Sequence, residues 1–576
     1  MDDSIMLMPA APHLGGRAPL PATQEMKTMP ARYLTSTANL FLFFAGAFLV
    51  APAASAQSGE APAFSPVTAE RLVNAEAEPH NWLTYSGNYK AQRYSGLDEI
   101  DRRNVAGLEI AWVYQLQALD RAETTPLVVD GVMYITESPS TVIAVDAGTG
   151  RPYWRYEHEL PDEIIICCGR NNRGVAVQGD RVLMSTLDAH LVALDARTGN
   201  VLWDTEVHNS SAGYSKTAAP LVVGDKVFTG VAGGEYGIRG LVDAYDIESG
   251  ERAWRFYTTP SPDHPDNRTW SGDSWRTGGA ATWMTGSYDP ELNLLYWGTG
   301  NPGPDYDGTV REGDNLYSDS VVALDADTGE LRWYFQFTPH DIHDWDSTQI
   351  PVLADTVFGG EQRKLMLFPN RNAFFYVLDR ETGEFLLGTP YARQTWAEGL
   401  DETGRPILLP GKEPTPEGTV VSPAITGGSN WWSPTYSPRT GLIYVMAYDA
   451  ETRYFIRPVE YREGESYRAG GGESPQPLDN YVRAVRALSP QTGDLRWEFQ
   501  VDPRTTSGLM STAGDLVFGG TADGYFFALD ALTGEELWNK NLGGRVHAGP
   551  MGYAVDGRQH LAIAAGNAVF AFALPE

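Results

Sequence analysis

An all-β, eight-bladed β-propeller with tryptophan-docking repeats is the fold predicted for this sequence of 576 residues, and three observations predict it. The string A-x-D-x-x-T-G-x-x-x-W recurs at Ala144–Trp154, Ala193–Trp203 and Ala323–Trp333, with relatives at Ala244–Trp254, Ala487–Trp497 and Ala528–Trp538. Most intervals between copies are about 40–50 residues, the period of propeller blades, while longer gaps after Trp254 and Trp333 leave room for insertions. Aromatic, glycine and turn-forming residues are spread evenly with no long polar linker, so a length that would allow three ordinary domains reads as one repeating domain.

Each copy reads as a strand of alternating apolar residues, a tight turn made by Asp and Gly, and a second strand carrying the Trp, which is half of a four-stranded blade. Phe375–Gly383 and Leu442–Thr452 are weaker copies, and counting them gives eight blades. The strand Leu108–Gln115, which contains Trp112, and the C-terminal strand Ala568–Ala573 are expected to share a blade and close the ring, removing exposed sheet edges. Tryptophan at this spacing is read as packing between blades, not as chemistry.

The N-terminus precedes the fold. Lys27 and Arg32 stand before an apolar run from Leu40 to Ala51, and Ala54-Ser55-Ala56 offers small residues for cleavage before Gln57. The run is too short to span a bilayer. Residues 1–56 are therefore assigned to an N-terminal extension plus secretory signal peptide, and 57–576 to a single propeller domain; Met26 or Met29 is an alternative start, and an uncleaved anchor is an alternative fate. Asp2, Asp3 and Glu25 balance Arg17, Lys27 and Arg32 in the leader, so the mature chain keeps the net charge of −31. Such a surface repels nucleic acid and attracts cationic partners. The expected location is periplasmic, without stable membrane insertion.

Residues that break the repeat carry the chemistry. Cys167 and Cys168, adjacent, are the only cysteines in the chain. They are either two reduced core thiols or a small rigid ring closed by a disulfide, and export favours oxidation. Three further segments follow strands: G-G-E-Y-G-I-R-G with Gly233, Gly234 and Glu235; G-T-G-N-P with Asn301; and T-P-H-D-I-H-D-W-D with Asp344 and Asp346. Carboxylates with an amide oxygen form a hard, all-oxygen set suited to a calcium-like cation, and no Cys or His cluster has zinc spacing. His340 and His343 offer a competing transition-metal reading.

Together these segments resemble the pyrroloquinoline-quinone (PQQ)-dependent alcohol dehydrogenases, the quinoprotein family that includes methanol dehydrogenases, over nearly all of Asn81–Phe572. The resemblance implies PQQ on the propeller axis, bound to a metal and held between a Cys167–Cys168 disulfide ring and Trp283. It further implies quinone contacts from Glu123, Arg173, Ser185, Gly233, Gly234, Arg371 and Asn430. A flat tri-acid needs such stacking faces, cations and backbone donors. One position departs from the family: Thr506 stands where methanol dehydrogenases place a Trp near the cofactor.

By the same resemblance Glu235 and Asn301 are metal ligands. Aligned without a gap, T-P-H-D-I-H-D-W-D puts Asp344 at the catalytic position, as ligand and general base, and Asp346 two residues later, where an Asp resembles lanthanide-dependent members. A trivalent ion is better compensated by a third carboxylate. With a two-residue insertion Asp346 would become the base, and calcium the expected ion. The implied reaction is oxidation of primary alcohols to aldehydes by hydride transfer to metal-polarised PQQ, with Arg371 stabilising charge on the quinone oxygens. No C-x-x-C-H haem site occurs, so a separate soluble cytochrome c is the expected acceptor. A homodimer is allowed by the sequence. Two other readings stay open: a quinoprotein for sugars, polyols or polymeric alcohols, selected by loops such as Trp396–Gly418 and Tyr454–Pro477, and a non-enzymatic envelope scaffold.

Overall fold

The computed structural model describes residues 61–62, 65–475 and 481–576. The leader expected over residues 1–56 lies outside the described residues. Among the described residues the α-helix is a single turn, Ala69–Val73, whose cap Thr68 accepts a hydrogen bond from the Arg71 amide. None is long and apolar enough to cross a membrane.

Strands build the rest. Among the described residues eight sheets contain four strands, or five where Tyr94–Ser95 adds in parallel to one of them; the other pairings are antiparallel, and five of the eight sheets are made entirely of strands that follow one another along the chain. The first is Leu127–Val129, Val132–Glu137, Thr141–Asp146 and Pro152–Glu157, paired in that order. This serial meander of small sheets is β-propeller construction. One of the other three joins Glu109–Gln115 to Ala568–Ala573, near the two ends of the chain, as expected from the sequence.

The repeat explains how neighbouring sheets lock. Ala and Trp of each copy are cross-strand partners: Ala144 with Trp154, Ala193 with Trp203, Ala244 with Trp254 and Ala323 with Trp333, each followed by a register shift. Each indole then reaches the next sheet. Trp112, Trp154, Trp203 and Trp254 donate to the carbonyls of Ala147, Ala196, Ile247 and Ala326, at 2.9–3.2 Å. The glycine of the next turn lies flat against the ring. A Cβ on Gly199, which sits at φ 72°, would come within 2.5 Å of the Trp154 ring, so only glycine fits. The turn Asp holds that loop: Asp195 Oδ1 accepts from the amides of Arg197 and Thr198 and from the Thr198 hydroxyl.

One copy in the sequence reading is misassigned. Leu442–Thr452 is not a separate repeat: Leu442–Asp449 pairs with Val482–Leu488 and so belongs to the same sheet as Ala487–Trp497. Thr452–Ile456 leaves that sheet to form a small one with Thr419–Val421 and Gly470–Glu473. The missing copy is split between the ends of the chain, where Trp112 pairs with Ala571 in the register of the other Ala–Trp pairs. The sequence reading pairs these two end strands but places the eighth copy at Leu442–Thr452.

Burial follows strand order. Second and third strands are buried along their length, whereas fourth strands such as Val201–Glu206 are largely exposed. In an antiparallel meander the connections between second and third strands and those from a fourth strand to the next sheet emerge at one end, and the Asp-Gly turns at the other.

Candidate active site

The connections at that one end carry the repeat-breaking residues. Glu235 and Asn301 lie between the second and third strands of their sheets, as does Arg371. Glu123, Cys167, Cys168, Arg173, Trp283, Asp344 and Asp346 lie between a fourth strand and the next sheet. Topology alone therefore brings scattered segments to one face.

Cys167 and Cys168 are joined as a disulfide, with Cα atoms 3.8 Å apart. Their loop is held by Arg121, which donates to the Cys168 carbonyl at 2.6 Å, and by Tyr236, which donates to that of Ile166 at 2.8 Å. Glu235 is reached from here directly, its Oε1 lying 3.7 Å from Cys168 Sγ. Glu235 sits in the short turn Gly234–Tyr236. A Cβ on Gly233, at φ 118°, would fall 2.0 Å from the Gly213 carbonyl oxygen, which requires glycine at the entry to the turn. On the other side of the ring, Arg468 Nη2 is 3.3 Å from Cys167 Sγ and its Nε is 3.9 Å from Asp305.

Asp346 ties the remaining parts together. Its Oδ1 accepts from the Asn301 amide at 2.9 Å, its Oδ2 from Trp283 Nε1 at 3.3 Å, and Arg371 Nη1 pairs with the same oxygen. The Arg371 fork also reaches Asp344 at 3.5 Å, while Tyr306 donates to Asp344 at 3.3 Å. Ile425 O anchors the guanidinium through Nε at 3.1 Å. Arg371 thus spans both aspartates.

The electrostatics follow from crowding. Burial raises the Asp344 carboxyl well above the usual range; Arg371 opposes this, and Asp346, Asp305 and Glu235 reinforce it. Asp346 and Glu235 are raised for the same first reason. Asp305, fully buried with neither oxygen hydrogen-bonded, is pushed up to about 8 by burial and by Glu235. Four carboxyl groups share this space with two guanidinium groups, those of Arg371 and Arg468. Like charges held together out of water call for a further cation. The donor set is oxygen-only and hard, which fits calcium or a lanthanide.

Beside the carboxylates, the Arg173 guanidinium lies 5.4 Å from the Trp283 ring and 4.8 Å from that of Trp431, and pairs with buried Glu123 at 2.8 Å. Thr217 accepts from the Arg173 amide and donates to the Trp283 carbonyl. Ser185 and Asn430 are less connected: Ser185 Oγ is 3.4 Å from Thr229 Oγ1, and Asn430 Nδ2 donates to Thr426 O. Thr506 bonds His547 Nδ1 at 2.7 Å.

His340 and His343 do not form a metal site together. His340 Nδ1 is bonded to Gly313 O, and His343 stacks on Trp345 with its Nε2 on Lys412 O. Each imidazole is committed to packing its own loop. The sequence reading also missed partners: Asp305, four residues beyond Asn301 in the same glycine-rich loop, was legible there, whereas Arg468, Tyr306, Thr217 and Trp431 had no pattern to mark them. A cavity of about 300 Å3 lies behind Tyr306, lined by Trp396, Leu408, Leu409, Ile456 and His343 among others.

Comparison with known proteins places the chain. The family described as glucose/ethanol/alcohol dehydrogenase, β-propeller domain (PQQ), matches residues 82–393 and 501–561. Quinoprotein alcohol dehydrogenase PedH of Pseudomonas putida is 38% identical over 90% of this chain and 91% of its own length. Among solved structures, the quinohemoprotein alcohol dehydrogenase ADHIIG of Pseudomonas putida HK5 superposes with a TM-score of 0.84 at 36% identity, covering 89% of this chain and 83% of that one. A europium-containing methanol dehydrogenase does so with 0.84 at 32% identity, covering 88% and 100%.

Proposed function

Because the chain belongs to the quinoprotein alcohol dehydrogenase family and is a PQQ-dependent alcohol dehydrogenase, we propose that it oxidises primary alcohols to aldehydes at the carboxylate cluster around Arg371. The observation that carries this reading is a pair of contact runs at one end of the sheets, one from the Cys167–Cys168 disulfide to Glu235 and one from Asn301 through Asp346 and Arg371 to Asp344.

In this reading Glu235, Asn301, Asp344 and Asp346 hold the metal, with buried Asp305 close by. Cys167–Cys168 and Trp283 supply the two faces for PQQ, with Glu123, Arg173, Ser185, Gly233, Gly234, Arg371 and Asn430 around its edge. When bound, PQQ supplies the two-electron oxidant and the metal a Lewis acid beside it. The chain's own residues do the rest. Asp344, whose proton affinity is raised by burial, takes the hydroxyl proton of the alcohol onto a carboxylate oxygen. Arg371 holds Asp344 and Asp346 in one orientation, and Tyr306 fixes the second Asp344 oxygen. Trp283 and Trp431 exclude water on the Arg173 side.

A lanthanide is the preferred ion because Asp346 adds a third carboxylate to the set, and a structural relative is described as containing europium. Calcium is the alternative. The apolar lining of the cavity behind Tyr306 favours alcohols with hydrocarbon substituents over sugars and polyols. The eight sheets are taken as eight blades, with the pairing of Glu109–Gln115 and Ala568–Ala573 as the ring closure. The mature domain, from about residue 57, is periplasmic and passes electrons to a soluble cytochrome c, its surplus of acidic residues attracting a basic partner.

The test is reconstitution of apoprotein with PQQ and either calcium or lanthanum, followed by dye-linked activity on a panel of alcohols and sugars. Turnover of primary alcohols that needs both PQQ and metal is expected. Turnover of sugars alone, or none under any reconstitution, overturns the proposal.

A further inference from the structure

Away from the carboxylate cluster, His158, Asp188 and His190 bring two imidazoles and a carboxylate together, with their ligating atoms all within 4.8 Å of one another. His158 follows the fourth strand of the first sheet, Pro152–Glu157; Asp188 lies in the connection between the second and third strands of the next sheet, and His190 begins the third strand. The trio therefore bridges two sheets. Sequence spacing hides it, because 158 and 190 belong to different repeats.

Contacts around the trio prepare each ligand. His158 Nε2 is 3.0 Å from Asp188 Oδ2, and its Nδ1 is 3.2 Å from the Tyr156 hydroxyl. Thr186 donates to the other Asp188 oxygen. His190 Nδ1 is 2.7 Å from Asp204 Oδ1, so the Nδ1 proton is used there. In that tautomer Nε2 is a bare lone pair, and it faces Asp188 Oδ2 at 4.0 Å, too far for a hydrogen bond. Asp188 Oδ2 thus faces two imidazole nitrogens, His190 Nε2 at 4.0 Å and His158 Nε2 at 3.0 Å; without metal His158 Nε2–H donates to it, and a cation between the three would displace that proton. Asp204 in turn stands as the outer carboxylate that orients a metal-bound imidazole.

Arg or Lys competition is absent from this trio among the described ion pairs: those of Asp188 are with the two histidines. The other peripheral cluster, Glu78, His80 and Asp130, differs, since Arg71 already bridges Glu78 and Asp130 at 2.6 and 2.8 Å. His158 and Asp188 are buried and His190 is part-exposed, which leaves an open side for a water ligand.

We infer that His158, Asp188 and His190 bind one zinc-like divalent ion, a site separate from the PQQ metal and built of imidazole nitrogen and carboxylate oxygen. Bonds of about 2.0–2.2 Å to each ligand need only a small closing movement of His190. The ion would tie the connection leaving the first sheet to the second-to-third connection of the next.

Zinc titrated by calorimetry into the PQQ-loaded holoenzyme, its primary metal site filled, tests this. One equivalent of zinc is expected, with a rise in Tm and, on replacement by cobalt, the visible absorption of a tetrahedral N2O site. His158→Gln and His190→Gln should each weaken binding at least tenfold, and Asp204→Asn about 10–100-fold through the lost outer carboxylate. If His158→Gln fails to fold, His190→Gln at the part-exposed position decides. No saturable binding, or binding unchanged in His190→Gln, overturns the inference, whatever the alcohol activity.

Discussion

Replacing Asp346 by Asn separates its charge from its shape. The asparagine Oδ1 still accepts from the Asn301 amide and the side chain keeps its volume, but the amide nitrogen at the Oδ2 position can no longer accept from Trp283 or Arg371, and Arg371 loses its negative partner. A carboxylate about 4 Å from an ion gains about 4 kcal/mol per unit of ionic charge at an effective dielectric of about 20. At that separation the step from a divalent to a trivalent ion is worth about 4 kcal/mol to Asp346, roughly a thousandfold, and more where a carboxylate oxygen ligates the ion directly. Solvation of the ion takes back part of it. Asp346→Asn should lower lanthanum-supported kcat/KM about 100-fold or more while calcium-supported turnover changes less than about tenfold. Asp344→Asn should abolish turnover with both ions. The assay is dye-linked oxidation by apoprotein reconstituted with PQQ and each metal. Equal loss with both metals in Asp346→Asn refutes the assignment and makes Asp346 the base.

Three further outcomes follow from named contacts. Arg371→Lys keeps the charge but loses the fork that spans Asp344 and Asp346, so kcat should fall about 100-fold with a smaller change in KM, read from steady-state kinetics. Gly199→Ala combines a left-handed φ with a Cβ 2.5 Å from the Trp154 ring and should cost about 2–5 kcal/mol in urea unfolding, against about 1–2 kcal/mol for Gly224→Ala, which has the same handedness but open space. Burial, with Arg121 and Arg545 adding to it, holds His547 down at about 4. A depressed histidine stabilises the fold above its unfolded value of 6.5, and that stability is lost as pH falls towards 4. The loss is about 3 kcal/mol, and His547→Gln should remove this part of the pH dependence of unfolding.

Much of the fold was legible because each repeat encodes its own docking: the Asp holds the turn, the Gly admits the ring, and the Trp reaches the next Ala. The end strands carrying Trp112 and Ala571 were legible as partners, whereas pattern failed where an insertion diverts the chain after Asp449 and Leu442–Thr452 was counted as a copy of its own. The site was legible where a motif breaks the repeat, as at Glu235, Asn301 and Asp344. Arg468 was not, because it comes from an insertion with no periodicity and reaches Cys167 only through the tertiary fold. The His158–Asp188–His190 trio was hidden for the same reason.

Anomalous diffraction from the protein reconstituted with PQQ and lanthanum locates ion and quinone together. One strong lanthanum peak is expected, bounded by Glu235, Asn301, Asp344 and Asp346, with planar density between Trp283 and the Cys167–Cys168 ring. A peak elsewhere, or planar density that does not touch those cysteines, contradicts this arrangement.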